Sequence, residues 1–388
     1  MADKMQVENV AGDNSLTDSN VVTKYRMAGD IVHEALQQVA NAVKPDVSVL
    51  ELCKFGDELI LSMTSKLFTK KKQIKKGIAF PTSVCVNNTV QNFSPGSEQD
   101  SAIIRAGDVV KIELGAQVDG YVATAAHTVV ANPTADAATG RVADVICAAH
   151  FAMESAVRVL KAGAKSTDVT KAIADAAAAF NCRPVVNAFS HPIKRFEPTS
   201  STRVIPCGED REQPAEEFTI EAGEVYSLNV VVSTGEGKAK ETGDKPTILQ
   251  RNASKTYSLK LKTARAVFTD INERFGVFPF PIRALDTRSR MGLTECFTHE
   301  LIVPHMTRVE RAGEFVAQLK TTILLVPTGG SRIVAPLALP NVHSEYQVPE
   351  AITALLRTSG AKTVKHAKVA GATVSMGEKK DGDAMDLS

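Results

Sequence analysis

The 388-residue sequence contains no tryptophan, and aromatic residues make up only 5% of it. Its six cysteines are widely scattered and form no Cys-x-x-Cys pair, which is typical of reduced thiols in an intracellular protein. No apolar run approaches the roughly 18 residues of a membrane span, and the N-terminus has no signal-peptide core. Neither sign of charge dominates, since 45 basic residues oppose 44 acidic ones. Nucleic-acid binding would therefore require a local basic patch.

The stretch 109–127 predicts a β-hairpin, because two extended segments meet at Asp119-Gly120, a typical hairpin turn. On the first segment, Lys111 and Glu113 share one face and the aliphatic residues between them share the other. Thr124 follows Glu113 after the chain reversal, so both side chains can face one pocket. That geometry suits a metal site with a carboxylate on each strand, but a hydroxyl is a poor ligand for a hard divalent cation.

Apolar periodicity and helix-capping residues predict helices on both sides of this hairpin. The predicted helices cover about 18–44, 48–68, 136–162, 166–180, 259–275, 291–300 and 349–358. Further strands are predicted at about 78–95, 183–192, 225–233 and 315–326. Residues 1–17 and 359–388 are polar and poor in large apolar side chains, so both segments are predicted to be disordered.

Positive charge is concentrated in two stretches. Residues 251–311 hold eleven basic and six acidic residues, a net charge of +5 in a chain of net charge +1. A second cluster follows the second predicted helix, with Lys66, Lys70, Lys71, Lys72, Lys75 and Lys76 uninterrupted by an acid. Either stretch can be an ordinary solvated surface, but the charge asymmetry of residues 251–311 favours an anionic partner such as a phosphate backbone.

Several long motifs carry a family resemblance. They are 75–83 (KKGIAFPTS), 223–226 (GEVY), 233–240 (STGEGKAK) and 313–318 (GEFVAQ), together with the hairpin. These runs resemble type II methionine aminopeptidases and, more closely, their non-peptidase relatives, the proliferation-associated, ErbB-receptor-binding proteins. The resemblance implies an α+β pita-bread fold, a curved, mostly antiparallel sheet with outer helices. It also implies one domain over residues 18–358, with 251–311 as a basic type II insert.

The same resemblance locates a degenerate metal site. In the active peptidases, four acidic residues and a histidine surround two metal ions; the corresponding positions here are Glu113, Thr124, His191, Asn229 and Lys320. A histidine near the substrate corresponds to Asn92, whose amide cannot act as a general base. Lys320 would repel a cation and could pair with Glu113. We therefore predict no metal, no cofactor and no catalytic residue, that is, a pseudoenzyme.

The relatives imply binding to the large ribosomal subunit near the peptide exit tunnel, through ribosomal RNA and ribosomal proteins. They also imply roles in translation, ribosome biogenesis and growth regulation, in the cytoplasm and in the nucleus or nucleolus. The candidate RNA-contact residues are Lys70, Lys71, Lys72, Lys75, Lys76, Lys255, Lys260, Lys262, Arg265, Arg288 and Arg290. We expect a monomer without membrane contact, and other RNA or signalling and transcription proteins as further partners.

Two alternatives remain open. The chain could be an active type II methionine aminopeptidase with an altered metal site. It could instead be a scaffold for signalling or transcription partners that acts without ribosomes.

Overall fold

The structure, a computed structural model, describes residues 15–70, 74–132, 136–200, 202–209, 214–327, 329–372 and 374. The side chains of Arg288 and Ser289 are not described. Residues 1–14 and 375–388, both predicted to be disordered, and the candidate contacts Lys71 and Lys72 lie outside the described residues. Within the described ranges, none of the helices combines the length and the apolarity needed to cross a bilayer.

The helices of the described chain are α1 (Ser19–Ala42), α2 (Val49–Ser65), α3 (Gly140–Val159), α4 (Ser166–Ala178), α5 (Lys262–Arg274), α6 (Thr287–Arg290), α7 (Leu293–Thr298) and α8 (Glu350–Leu356). The first two begin at good capping residues. Helix α1 starts after Asp18, whose carboxylate accepts a hydrogen bond from the Asn20 backbone N–H at 2.8 Å. Helix α2 starts with a capping box made by Ser48 and Glu51. Local capping chemistry thus sets both starts where the sequence predicts them.

The strands of the described residues are β1 (Lys76–Val86), β2 (Thr89–Gln91), β3 (Val109–Val118), β4 (Tyr121–Val130), β5 (Arg183–Pro184), β6 (Phe189–Pro192), β7 (Ile205–Pro206), β8 (Val225–Ser233), β9 (Lys240–Glu241), β10 (Ile248–Arg251), β11 (Phe280–Pro281), β12 (Ile302–His305), β13 (Arg308–Val309), β14 (Val316–Val326), β15 (Gly329–Arg332) and β16 (Lys362–Thr363). The main sheet follows the order β1-β3-β4-β14-β8-β6-β7, and its neighbouring strands are antiparallel. The predicted hairpin is confirmed as β3–β4.

Helices cover one face of this sheet. Helices α1 and α2 pack on β1, β3 and β4, while α3 packs on β8 and β14 and against α4. Each pair of helices has its own apolar cluster beneath it, one around Tyr25, Ile112 and Leu114 and the other around Ile173 and Leu228. The arrangement is the predicted α+β class.

The two halves of the sheet meet at an imperfect seam between β4 and β14. Only Lys320 and Ala126 are paired in register there. On either side, threonine hydroxyls replace the backbone ladder. Thr322 Oγ1 accepts a hydrogen bond from the Thr124 N–H at 2.9 Å, and Thr128 Oγ1 accepts one from the Gln318 N–H at 2.8 Å. Backbone pairing between β4 and β14 is therefore limited to this one position, and side chains complete the seam.

A separate unit is inserted between β9 and β13. Strands β10, β11 and β12 form their own three-stranded sheet, and α5 and α7 pack with it around a small core that includes Leu249 and Ile271. A buried ion pair between Arg283 and Asp57 of α2 ties this unit to the main domain. The sheet of this unit starts at Ile248, three residues before the predicted start of the insert at Arg251, because Arg251 is the last residue of strand β10.

The C-terminal segment differs from the sequence expectation. Composition predicts disorder for residues 359–372, but β16 pairs in parallel with β15, and Val364 and Val369 pack on the core under α1 and α2. His366 is held by the Asp30 carboxylate, 2.7 Å away, and by the Ala335 N–H, 2.9 Å away. A few specific contacts are enough to order a polar segment that composition alone predicts to be free. At the other end, Leu16 is likewise buried.

Candidate functional site

An open cavity of about 220 Å³ lies at the seam, on the face of the sheet opposite the helices. The five positions carried over from the peptidase metal site, Glu113, Thr124, His191, Asn229 and Lys320, all line it, and Asn92 lies on its wall. They come from β3, β4, β6, β8 and β14, so residues more than two hundred positions apart in the chain meet in one cavity. The sequence-derived set is therefore brought together in full.

The centre of the cavity is a buried ion pair. The Lys320 ammonium lies 2.6 Å from Glu113 Oε1, and both side chains are largely shielded from solvent. This pairing confirms the sequence prediction. Gln318 uses one amide nitrogen to hold two neighbours, since its Nε2 donates to Glu113 Oε2 at 2.9 Å and to Asn229 Oδ1 at 3.0 Å. Both carboxylate oxygens of Glu113 are thus already engaged.

Two histidines flank this pair. Burial, together with the nearby Lys320 ammonium, lowers the pKa of His191 to about 4. Burial likewise lowers the pKa of His305, at the end of β12, to about 4. His305 Nε2 lies 2.8 Å from the Gln250 side-chain oxygen, which favours the tautomer that is protonated there. Both rings are consequently neutral near pH 7 and add no positive charge to the cavity.

The remaining positions are occupied by neutral groups that are satisfied within the protein. Thr124 Oγ1 shares a 2.9 Å hydrogen bond with Ser227 Oγ. Asn92, in a left-handed backbone conformation with φ of 65°, donates its side-chain N–H to the Met306 carbonyl at 3.1 Å. That amide faces a structural partner and has no basic lone pair to offer a substrate.

These donors do not fit a pair of divalent cations. Two such ions bring four positive charges, whereas the cavity offers one carboxylate that an ammonium already neutralises. Hard cations prefer carboxylate oxygens, and the amide, hydroxyl and ammonium at the other positions are poor substitutes or repel them. Throughout the described ranges, no group of three or more His, Cys, Asp or Glu side chains is arranged to hold a metal ion.

The candidate RNA-contact residues fall into two surface regions. Lys70, Lys75 and Lys76 follow the end of α2, and Lys260, Lys262 and Arg265 surround the start of α5. Lys255 is engaged with Glu300 at 2.7 Å, and Arg290 donates from Nε to the Leu285 carbonyl. Lys71 and Lys72 lie outside the described residues, as does the side chain of Arg288. The sequence-derived set of cations therefore divides into one group on the main domain and one on the insert.

Sequence reasoning missed His305, which lines the cavity, and Gln318, which holds two of the lining residues. Gln318 could have been found, because it stands two positions before Lys320 on the predicted strand and must share its face. His305 could not, since no local pattern in the insert indicates that the end of β12 reaches the main sheet. The six cysteines are all free and buried, which leaves them packing roles.

Comparisons with known proteins agree with this geometry. Residues 23–246 match the profile of Metallopeptidase family M24. Proliferation-associated protein A of Dictyostelium discoideum is 39% identical over 362 residues, covering 92% of this chain and 94% of that protein. ERBB-3 binding protein 1 of Solanum tuberosum is 40% identical over 323 residues, covering 82% of each chain.

The fold comparison gives the same result. The structure of a thermophilic Arx1 superimposes with a TM-score of 0.82 at 25% identity, covering 89% of this chain and 99% of that one. The predicted pita-bread fold is thereby confirmed. The chain belongs to metallopeptidase family M24, within the group of the proliferation-associated and ERBB-3-binding proteins, the aminopeptidase-like relatives that its sequence motifs indicated.

Proposed function

We propose that this protein is a catalytically inactive aminopeptidase-like protein that binds the large ribosomal subunit near the peptide exit tunnel. In this proposal it contacts ribosomal RNA and ribosomal proteins and acts in translation, ribosome biogenesis and growth regulation. It works in the cytoplasm and in the nucleus or nucleolus. The observation that carries the inactive part of the proposal is the ion pair between Lys320 and Glu113 in the centre of the cavity.

That ion pair accounts for inactivity on electrostatic grounds. Hydrolysis by this family's chemistry needs a cation held tightly enough to acidify a bound water. Here the ammonium of Lys320 stands where a cation would have to approach Glu113, and displacing it would leave an uncompensated buried charge. The Lys320 ammonium neutralises the Glu113 carboxylate, so the cavity has no net negative charge to hold a metal ion.

The surface that supports the ribosomal part lies at the start of α5. Lys260, Lys262 and Arg265 are exposed there, and the first turn of the helix contains no acidic residue. Leu261 and Met291 project from the same end of the insert with exposed fractions of 57% and 77%. Cations beside exposed apolar side chains suit a partner that offers both phosphate and protein surface.

The test is co-sedimentation of the purified protein with large ribosomal subunits over a series of salt concentrations. The double variant Lys260→Glu/Lys262→Glu should bind more weakly, and the slope of log affinity against log salt should fall by about one for each phosphate that the variant no longer neutralises. A matched control, Lys165→Glu/Lys171→Glu, makes the same charge change at α4 and should bind like the wild type. Equal binding by all three proteins would remove the proposed surface.

Inactivity is tested by restoring the missing ligands. The variant Thr124→Asp/Asn229→Asp/Lys320→Glu recreates the acidic set around Glu113 and His191, and should bind Mn²⁺ in a calorimetric titration. The wild-type chain should give no heat of Mn²⁺ binding and no release of methionine from a methionyl peptide. Tight Mn²⁺ binding with peptide turnover by the wild type would establish the alternative of an active aminopeptidase.

A further inference from the structure

The C-terminal segment runs across the two N-terminal helices. After β16, the Val364 N–H bonds to the Arg332 carbonyl at 3.1 Å, and His366 follows between Asp30 of α1 and the Ala335 backbone. The His366 ring also stacks on His33 with a centroid distance of 4.1 Å. This part of the chain is fixed at several points, so its direction is well defined.

The segment leaves the described fold beside the C-terminal end of α2. Gln38 donates to the Ala372 carbonyl at 2.7 Å, and Ser62 donates to the Gly371 carbonyl at 2.8 Å. Gly371 lies so close to Lys66 that a Cβ added to the glycine would sit 3.2 Å from the lysine Cγ. The chain therefore passes beside Lys66, the first residue of the basic cluster, a few residues before the described part ends.

The basic cluster is here defined as Lys66, Lys70, Lys75 and Lys76. The first three are exposed, while Lys76 is partly buried and donates to the Ser65 and Leu67 carbonyls at the end of α2. Within the part of the chain that the structure describes, none of the four has an ion-pair partner. The cluster is a concentrated cationic surface, and its described lysines form no ion pairs with acidic side chains of the described fold.

The sequence that follows has the opposite charge. Residues 375–388 contain four acidic and two basic residues, a net charge of −2. The acidic residues are Glu378, Asp381, Asp383 and Asp386. From Asp381 onward, three aspartates occur with no lysine or arginine. An extended chain advances about 3.3–3.6 Å per residue, so these aspartates can reach every lysine of the cluster.

We propose that the acidic segment 381–388 docks on the basic cluster of the same molecule. A short tether gives the segment an effective concentration in the millimolar range, which lets a few exposed ion pairs hold it in place although each is weak. The docked segment competes with any phosphate-bearing partner for the same lysines. The docking is inferred from the opposite charges of the two segments and from the position where the described chain ends. Competition at the ribosome additionally rests on the function proposed above.

Docking is tested by zero-length carbodiimide cross-linking of the full chain at low salt, followed by peptide mass spectrometry. We expect amide links from Asp381, Asp383 or Asp386 to Lys66, Lys70 or Lys75, and their loss at 0.5 M salt. An equal mixture of ¹⁴N- and ¹⁵N-labelled protein separates links within one molecule from links between copies. Links between copies only, links confined to other lysines, or no links would each overturn the proposal.

Competition is measured with a 20-nucleotide single-stranded RNA as the probe, by fluorescence anisotropy. The variant Asp381→Asn/Asp383→Asn/Asp386→Asn should bind the RNA several-fold more tightly than the wild type at low salt. In a background of Lys66→Ala/Lys70→Ala/Lys75→Ala the same three substitutions should have no effect. Equal RNA affinity of wild type and aspartate variant would refute competition, while the cross-linking result would still decide the docking, whatever the ribosome-binding test gives.

Discussion

Replacing Lys320 with methionine removes the ammonium that balances Glu113 and leaves a buried carboxylate at the centre of the cavity. The two charged atoms are 2.6 Å apart, and the side chains are 12% and 7% exposed for lysine and glutamate. At an effective dielectric constant of about 20, their gross attraction is roughly 6 kcal/mol, and the cost of desolvating both groups offsets much of it. The net contribution of the ion pair to stability is therefore modest, but removing one of its two partners destabilises the fold strongly.

Removing one partner of a buried pair typically costs about 3–5 kcal/mol, because the remaining charge is left uncompensated. Glu113 would keep its hydrogen bond from Gln318, and the cavity admits water on one side. We therefore expect Lys320→Met to lower the free energy of unfolding by about 3 kcal/mol. That corresponds to roughly a hundred-fold change in the ratio of folded to unfolded protein.

The assay is urea unfolding followed by far-UV circular dichroism, since the chain has no tryptophan to report by fluorescence. The cycle consists of the wild type, Lys320→Met, Glu113→Gln and the double variant, which removes both charges and keeps similar volumes. The double variant should be more stable than the sum of the single losses predicts, by about 2 kcal/mol. Single effects that add within about 0.5 kcal/mol would refute the reasoning, because they would mean that the two groups do not interact.

Three further predictions concern the buried residues His305 and Lys111 and the hydrogen-bonded residue His366. Burial lowers the pKa of His305 from 6.5 to about 4, so between these pH values the unfolded chain binds a proton that the folded chain does not, and stability falls as the pH drops from 6.5 to 4. The variant His305→Gln should lose less stability between pH 7 and pH 5, measured as urea midpoints. An unchanged loss would contradict the lowered pKa of His305. Burial lowers the pKa of Lys111 from 10.5 to about 7, so this residue makes the protein more stable as the pH increases from 7 to 10.5. The variant Lys111→Met should lose that rise in stability and be more stable than the wild type at pH 7. A less stable variant with the same rise would contradict the lowered pKa of Lys111. The variant His366→Ala loses the hydrogen bonds to Asp30 and Ala335, so limited proteolysis should cut residues 362–372 faster while cleavage elsewhere stays the same. Equal cleavage of the two proteins would show that His366 does not hold the segment in place.

Sequence reasoning was most reliable where structure is set by neighbours in the chain. The starts of α1 and α2 follow from capping by Asp18 and Ser48, and the hairpin follows from the turn at Asp119-Gly120. These features depend on hydrogen bonds and backbone preferences within a few residues. The alternation along β3 also identified which face carries Glu113.

The cavity required more than local pattern. The family motifs identified five positions that meet in it, but Gln318, which links Glu113 to Asn229, was identified only by its contacts. His305 reaches the cavity from the insert, more than one hundred residues away from the other histidine, His191. Both depend on how β14 and β12 are placed against distant strands.

The sequence by itself determined the hairpin, because turn and strand preferences act over a few residues, and its resemblance to type II methionine aminopeptidases indicated the class of fold and the loss of acidic groups at the peptidase positions. Only the tertiary structure decided that Gln318 holds Glu113 and Asn229, that His305 lines the cavity, and that residues 364–372 pack on α1 and α2, whereas the pairing of Lys320 with Glu113 was already predicted from the sequence. Those outcomes depend on the burial of groups distant in the chain. Burial decides which charges must pair and which polar segments gain enough contacts to be held.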